Sequence, residues 1–175
     1  MDTVTVRQSG ADIWTLHSAG CYVVDPTNAC VTRGGENVMG AGLSLDVKRR
    51  WPEMPRLYGA ILMEAVRPGV PMGRTPAVPD LRPPLVTVDD ERRLCLAVVK
   101  ADWRDRADLG LIAAVLAELG GFVSGRRDVQ VAIPRLGCGA GGRDWESEVK
   151  PLVREMLRAL GAEARARVVI VSPPA

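Results

Sequence analysis

Short apolar and β-branched runs recur along the chain at 4–6, 21–25, 85–88, 94–99, 129–133 and 168–171, and each predicts a strand. Cys21-Tyr22-Val23-Val24 and the run 94–99 are apolar without alternation, the pattern of strands covered on both faces. Between these runs the apolar period becomes helical. Leu43 and Val47 head a segment that stops at Trp51-Pro52, and Leu57, Ala60, Ile61 and Glu64 space out a second over 55–65. Leu109, Ile112, Ala113, Leu116 and Leu119 form an apolar stripe, with Gly120-Gly121 as its predicted stop. Pro151 suits the first position of a last helix carrying Leu152, Val153, Met156, Leu157 and Leu160. Helices alternating with buried strands predict one domain over 1–175, built as a three-layer α/β/α sandwich.

One region breaks this rhythm. Residues 66–84 hold Pro68, Pro71, Pro76, Pro79, Pro83 and Pro84, so they form neither a central strand nor a helix interior. They predict an irregular surface loop, either a passive insertion or a cover over a ligand.

Composition narrows the class. Of 175 residues, 47% are hydrophobic and 25% charged, and the net charge of +2 excludes a strongly basic nucleic-acid coat. The longest nearly apolar stretch, 109–123, contains Glu118 and three glycines, so no membrane span is expected. Met1-Asp2-Thr3 begins neither a basic nor an apolar leader region, and a cytoplasmic location is expected. Cys21, Cys30, Cys95 and Cys138 follow no Cys-x-x-Cys spacing, and the single His17 completes no zinc set. Neither a metal nor a cofactor is implied. His17 itself, in Leu16-His17-Ser18-Ala19-Gly20, reads as a solvated turn residue.

Two glycine-rich stretches hold the candidate chemistry. One runs from Arg33-Gly34-Gly35 through Val38-Met39-Gly40-Ala41-Gly42 into the helix at Leu43. The other, Pro134-Arg135-Leu136-Gly137-Cys138-Gly139-Ala140-Gly141-Gly142, follows strand 129–133 and precedes Asp144-Trp145-Glu146. Glycine lets backbone approach a ligand, and free N–H groups at a helix start favour anions. Two such loops in one domain point to a diphosphate. Neither is a P-loop, because no Gly-Lys-Ser/Thr follows.

These segments resemble those of the macrodomain family, the α/β/α module that binds ADP-ribose on a central mixed sheet. Gly10-Ala11-Asp12-Ile13 is similar to the family's Gly-Asp-Ile step, with Ala11 inserted. Val23-Val24-Asp25-Pro26-Thr27-Asn28 stands where the family has its second strand and terminal Asn. Val38-Met39-Gly40-Ala41-Gly42-Leu43 resembles the Val-Met-Gly-x-Gly-Ile loop, and Lys48-Arg49-Arg50-Trp51-Pro52-Glu53 follows it as in relatives. Pro134 to Gly142 with Asp144-Trp145-Glu146 is the most specific match. The resemblance spans nearly the whole chain outside the proline-rich loop. It implies ADP-ribose contacts at Asp12, Ile13, Asn28, Val38, Met39, Gly40, Ala41, Gly42 and Leu43, and again at Arg135, Leu136, Gly137, Cys138, Gly139, Ala140, Gly141 and Gly142.

Within the family two glycohydrolase groups are similar: DarG, which removes ADP-ribose from DNA, and the terminal ADP-ribose protein glycohydrolase. Val99-Lys100-Ala101-Asp102-Trp103-Arg104 resembles DarG's Thr-Lys-x-x-Trp-Arg, which implies a catalytic role for Lys100. The acid that assists this lysine in the protein-directed group falls on Gly141, which favours the DNA-type reading, thymidine included. Ala41 departs the other way, because DarG loops tend to have Lys there. The implied partners are ADP-ribose or an ADP-ribosylated macromolecule, DNA among them, and a cognate ADP-ribosyltransferase toxin.

Lys100 also makes chemical sense alone. It ends an apolar strand, so its amine emerges at the carboxyl end, where α/β sheets place ligands. A neutral amine can attack the anomeric carbon of the distal ribose or its ring-opened aldehyde; an ammonium can stabilise a departing base. A solvated lysine at a strand end is the alternative. Trp103, beside it, is either packing or a surface for a nucleobase. Cys138 has no histidine near it in sequence and reads as a small loop residue. Two other functions remain open: a non-catalytic ADP-ribose reader, and an enzyme acting on protein-linked or free ADP-ribose derivatives.

Overall fold

The computed structural model describes residues 8–172. Its centre is a six-stranded sheet of β1 (Gln8–Ser9), β2 (Tyr22–Asn28), β3 (Val86–Asp89), β4 (Leu94–Lys100), β5 (Val131–Pro134) and β6 (Val168–Val171). The strand order is β1-β6-β5-β2-β4-β3, with neighbours parallel except the β3–β4 hairpin. The expected run at 4–6 lies outside the described residues.

β4 is buried at every position, as its unbroken apolar run predicts. β2 runs beyond the expected 21–25 and passes through Pro26. The ladder between β2 and β5 covers only Tyr22 and Val23, whereas that between β2 and β4 continues to Asn28. Pro26 therefore sits where one side of the strand has no ladder bond to lose. The same early ending opens the sheet between the carboxyl ends of β2 and β5. That gap is where the strand order reverses, the place where open α/β sheets bind ligands.

The helices are α1 (Ile13–Ser18), α2 (Gly42–Arg50), α3 (Met54–Ile61), α4 (Leu109–Gly125), α5 (Lys150–Ala159) and α6 (Ala162–Ala166). α4 and α5 pack together on one face of the sheet, and α1 and α2 lie against β2. α3 continues as a π-helical turn, Leu62–Val66, so the segment expected over 55–65 is helical throughout. A second π turn, Trp145–Val149, leads into α5 and sets Pro151 near that helix's start.

Two expectations need correction. α4 does not stop at Gly120-Gly121 but runs to Gly125. Gly120 lets α4 lie close to α5: a Cβ there would stand 3.5 Å from Met156 and 3.6 Å from Leu160. Burial of Val123 beyond it keeps the helix going. His17 is not a solvated turn residue. It lies in α1, bonds Arg92 O through Nε2 at 2.8 Å, and meets the rings of Trp14 and Trp51 edge-on.

The proline-rich segment is irregular, apart from a 3-10 turn at Val78–Asp80, and it is firmly tied down. Arg67, fully buried, donates to Ala29 O, Val70 O, Pro71 O and Arg74 O. Those carbonyls compensate the buried guanidinium. No helix among the described residues is long and apolar enough to cross a membrane.

Candidate functional site

The opening between β2 and β5 widens into a cleft of about 1060 Å³. Pro26, Thr27 and Asn28 of β2 and Val99 and Lys100 of β4 line its floor. One wall is the 38–44 segment entering α2; the other is 134–145. Asp12, Ile13 and Trp14 at the start of α1, with Val171 at the end of β6 and Ser172 after it, close one end.

The first wall is held by amide side chains. Asn28 Nδ2 donates to Val38 O at 2.8 Å, and its Oδ1 accepts from Cys30 N at 3.0 Å. Asn37 donates to Asn28 O and Cys30 O and accepts from Thr27 Oγ1, so its amide is satisfied on both ends. α3 braces the loop from behind: Asn37 N bonds Pro55 O at 2.8 Å, and a Cβ on Gly59 would overlap Gly35 O. Gly42 has a φ of +56°, and Ala41, the residue before α2, offers no side-chain cap. The first-turn N–H groups of α2 are thus presented to the cleft without a capping acceptor, and they attract anions.

The second wall is a tight glycine turn. Cys138 N bonds Arg135 O, Gly142 N bonds Gly139 O, and Arg143 N bonds Gly137 O. Gly139 and Ala140 stand between these bonds on the cleft side. Gly141 admits no side chain, because a Cβ would lie 2.5 Å from Gly137 O and 2.9 Å from Ala107 Cβ. Arg135 lies over the Trp145 ring, 5.2 Å from its centre, and Nη2 bonds Ser172 Oγ at 3.0 Å.

Lys100 is 9% exposed. Its Nζ donates to Trp103 O at 2.9 Å, Asp105 O at 3.2 Å and Ala140 O at 3.3 Å. Burial pulls its pKa below the ordinary lysine value, against the attraction of Asp105 and Asp102. Asp102 does not serve as a base. Its oxygens accept from Arg104 and Thr75, and the Arg104 hydrogen bond foremost holds its carboxyl well below the usual range. The Asp102–Arg104 pair shapes the turn that offers Lys100 its carbonyls. Burial pushes the Cys138 thiol up to about 11, so at neutral pH it is no nucleophile.

No family model matches the chain. Over 116 residues it is 33% identical to a DNA ADP-ribosyl glycohydrolase of Mycobacterium tuberculosis (strain H37Rv) and equally to one of Mycobacterium bovis (strain BCG), covering 66% of this chain. The chain spans 31% of the length of those curated relatives. Its fold matches the macrodomain of Mycobacterium tuberculosis DarG at a TM-score of 0.69 and 24% identity, over 98% of this chain and 99% of that one. The macrodomain of Thermus aquaticus DarG matches at 0.61 and 24% identity, over 97% of each chain. Thermosipho africanus DarTG in complex with ADP-ribose matches at 0.58 and 20% identity, over 86% of this chain and 37% of that one.

The chain has the macrodomain fold.

Of the residues singled out from sequence, the macrodomain brings Asp12, Ile13, Asn28, Val38, Gly40, Ala41, Gly42, Leu43, Lys100, Arg135, Gly137, Cys138, Gly139, Ala140 and Gly141 to the cleft. Met39 and Leu136 do not line it: they turn into the core, 2% and 0% exposed. Gly142 also faces away, its carbonyl accepting from Arg106 Nε. Asp12 caps α1, accepting from Trp14 N at 3.2 Å, with its side chain at the rim. The proline-rich segment contributes nothing to the lining, so its covering role is not seen. Sequence reasoning missed Thr27, Ser44, Asp46, Asp144, Val171 and Ser172 as lining residues. Their signal was positional: the first turn after Gly40-Ala41-Gly42, and the carboxyl end of a strand adjoining β5.

Proposed function

We propose that this macrodomain binds ADP-ribose in the cleft and releases it hydrolytically from DNA bases, thymidine among them, with Lys100 as catalytic residue. The observation that carries the reading is the convergence of two N–H-presenting loops on one cleft with a buried lysine on its floor. The diphosphate spans the start of α2 and the Gly139–Ala140 turn, leaving the distal ribose over Lys100. The sequence relatives called DNA ADP-ribosyl glycohydrolase and the neighbour solved with ADP-ribose support this choice of ligand and reaction. Four cysteines, three of them buried and none in a disulfide, suit the reducing cytoplasm where we place the protein. By the same likeness its partner is an ADP-ribosyltransferase toxin.

In this reaction the bond between the ribose anomeric carbon and the base breaks, and water supplies the new hydroxyl. Lys100, with three carbonyls on its Nζ, is held as an ammonium. That favours stabilisation of the leaving base over nucleophilic attack. The longest of its three bonds goes to Ala140 O, in the glycine turn that would contact the ligand.

One observation favours a second reading. Gly141 admits no acidic side chain and Asp102 is fully engaged, so a non-catalytic reader would use the same cleft. Incubation with an oligonucleotide bearing ADP-ribosylated thymidine separates the two. Released ADP-ribose supports the enzyme; tight binding without release supports the reader. Failure of ADP-ribose to raise the melting temperature would remove both.

A further inference from the structure

β2 places a carboxyl group where the apolar pattern leaves no water for it. Asp25 is fully buried; Ser44 Oγ donates to its Oδ1 at 2.7 Å, and its Oδ2 has no partner. Ser44 is the third residue of α2 and lines the cleft, so Asp25 stands directly behind the proposed anion seat. The groups that act on it or feel it are Ser44 and Asp46 of α2 and Tyr58 of α3. Asp46 is acidic, and the Tyr58 hydroxyl is itself buried without a partner. None of the three neutralises a carboxylate. Burial, helped by Asp46 and opposed by the Ser44 hydrogen bond, raises the Asp25 pKa to about 7.

We propose that Asp25 is a proton-linked positioning residue for the anion seat, so that a diphosphate arriving at the start of α2 binds with uptake of a proton at Asp25. The proposal rests on the ADP-ribose reading of the cleft. A serine hydroxyl has one proton to donate. With Asp25 ionised, that proton is committed inward at 2.7 Å, and a negative charge lies beneath the bound phosphates. With Asp25 neutral, the carboxyl donates to Ser44 Oγ instead. The Ser44 proton then turns toward the cleft, and the repulsion is gone. Binding and protonation favour each other reciprocally.

Calorimetric titration of ADP-ribose into the protein, in two buffers of different ionisation enthalpy, counts the protons taken up. Uptake is expected near pH 7, with Kd rising by up to about tenfold per pH unit above neutrality. Asp25→Asn keeps an acceptor for Ser44 but does not titrate, so uptake disappears and the profile flattens. Ser44→Ala removes the hydrogen bond that steadies the carboxylate, which moves the pH profile upward. If Asp25→Asn does not fold, that upward shift decides. Binding without uptake in the wild type, or equal uptake in Asp25→Asn, overturns the proposal. Absence of ADP-ribose binding at every pH instead overturns the reading of the cleft, and this proposal with it.

Discussion

Lys100 reaches the cleft with all three ammonium protons already spoken for by Trp103 O, Asp105 O and Ala140 O. Its removal therefore has two effects of different size. Three carbonyls lose a charged donor, which destabilises the fold by about 1–3 kcal/mol. If the ammonium also meets the departing base, release of ADP-ribose slows by roughly two orders of magnitude while ADP-ribose affinity stays within a few-fold. Lys100→Ala compared with wild type in single-turnover release and in ADP-ribose titration separates the effects; equal release rates sink the catalytic role. Borohydride added during turnover traps Lys100 covalently only if its amine attacks, and the carbonyl cage predicts no adduct. The glycine turn gives a second contrast. Gly139 has open space where a Cβ would stand, whereas Gly141 meets Gly137 O. Gly139→Leu is expected to fold normally and lose ADP-ribose binding by filling the seat. Gly141→Ala loses several degrees of melting temperature. The opposite pattern would mean that the cleft face of this turn is misassigned.

At the scale of elements, the first wall depends on α3 as much as on its own glycines. Gly59 lets α3 approach until Pro55 O accepts from Asn37 N, and Asn37 in turn bonds Asn28 O and Cys30 O. Gly59→Ala pushes α3 off the loop. The expected outcome is a destabilisation of about 1–3 kcal/mol, with weakened ADP-ribose binding although Gly59 lines no part of the cleft. Denaturant unfolding and ligand titration check this together; unchanged affinity in a destabilised variant would show that α3 does not set the wall. How much of this was legible differs by element. β4 was readable because an unbroken apolar run needs cover on both faces, and β6 because its residues are all β-branched. β2 was cut short at Asp25 because a proline and a carboxyl argue locally against a strand, and only the early end of the β5 ladder makes room for Pro26. α4 was cut short at Gly120 because glycine reads as a stop, while here it permits contact with Met156 on α5. Both glycine loops were visible as composition. The residues that complete the cleft from β6 and α2 were not, since strand order brings them there.

The whole molecule carries titrating groups whose effects on stability run in opposite directions. Asp102 has its folded pKa held low, foremost by Arg104, so it contributes stability above the unfolded aspartate value and loses it as pH falls toward the folded value. Asp90, Asp144 and Glu148, also lowered, act in the same sense at the surface, with small weight. Asp25 is the reverse case. Its folded pKa of about 7 lies above the unfolded value, so its contribution is complete below about pH 4 and is lost as pH rises through neutrality. At about 1.4 kcal/mol per pH unit, that loss is of order 4 kcal/mol between pH 4 and pH 7. Stability should therefore peak on the acidic side of neutrality, between the unfolding caused by protonating Asp102 and the strain of ionising Asp25. Urea unfolding from pH 4 to pH 9 is expected to show stability falling between about pH 4 and pH 7 and levelling off above it. Asp25→Asn removes that limb and leaves the acidic one in place, since Asp102 lies in a separate hydrogen-bonded cluster with Thr75 and Arg104. A wild-type profile flat from pH 4 to pH 7, or an Asp25→Asn variant that keeps the falling limb, would mean that the buried carboxyl titrates elsewhere. The proton-linked anion seat would then lose its physical basis along with the stability curve.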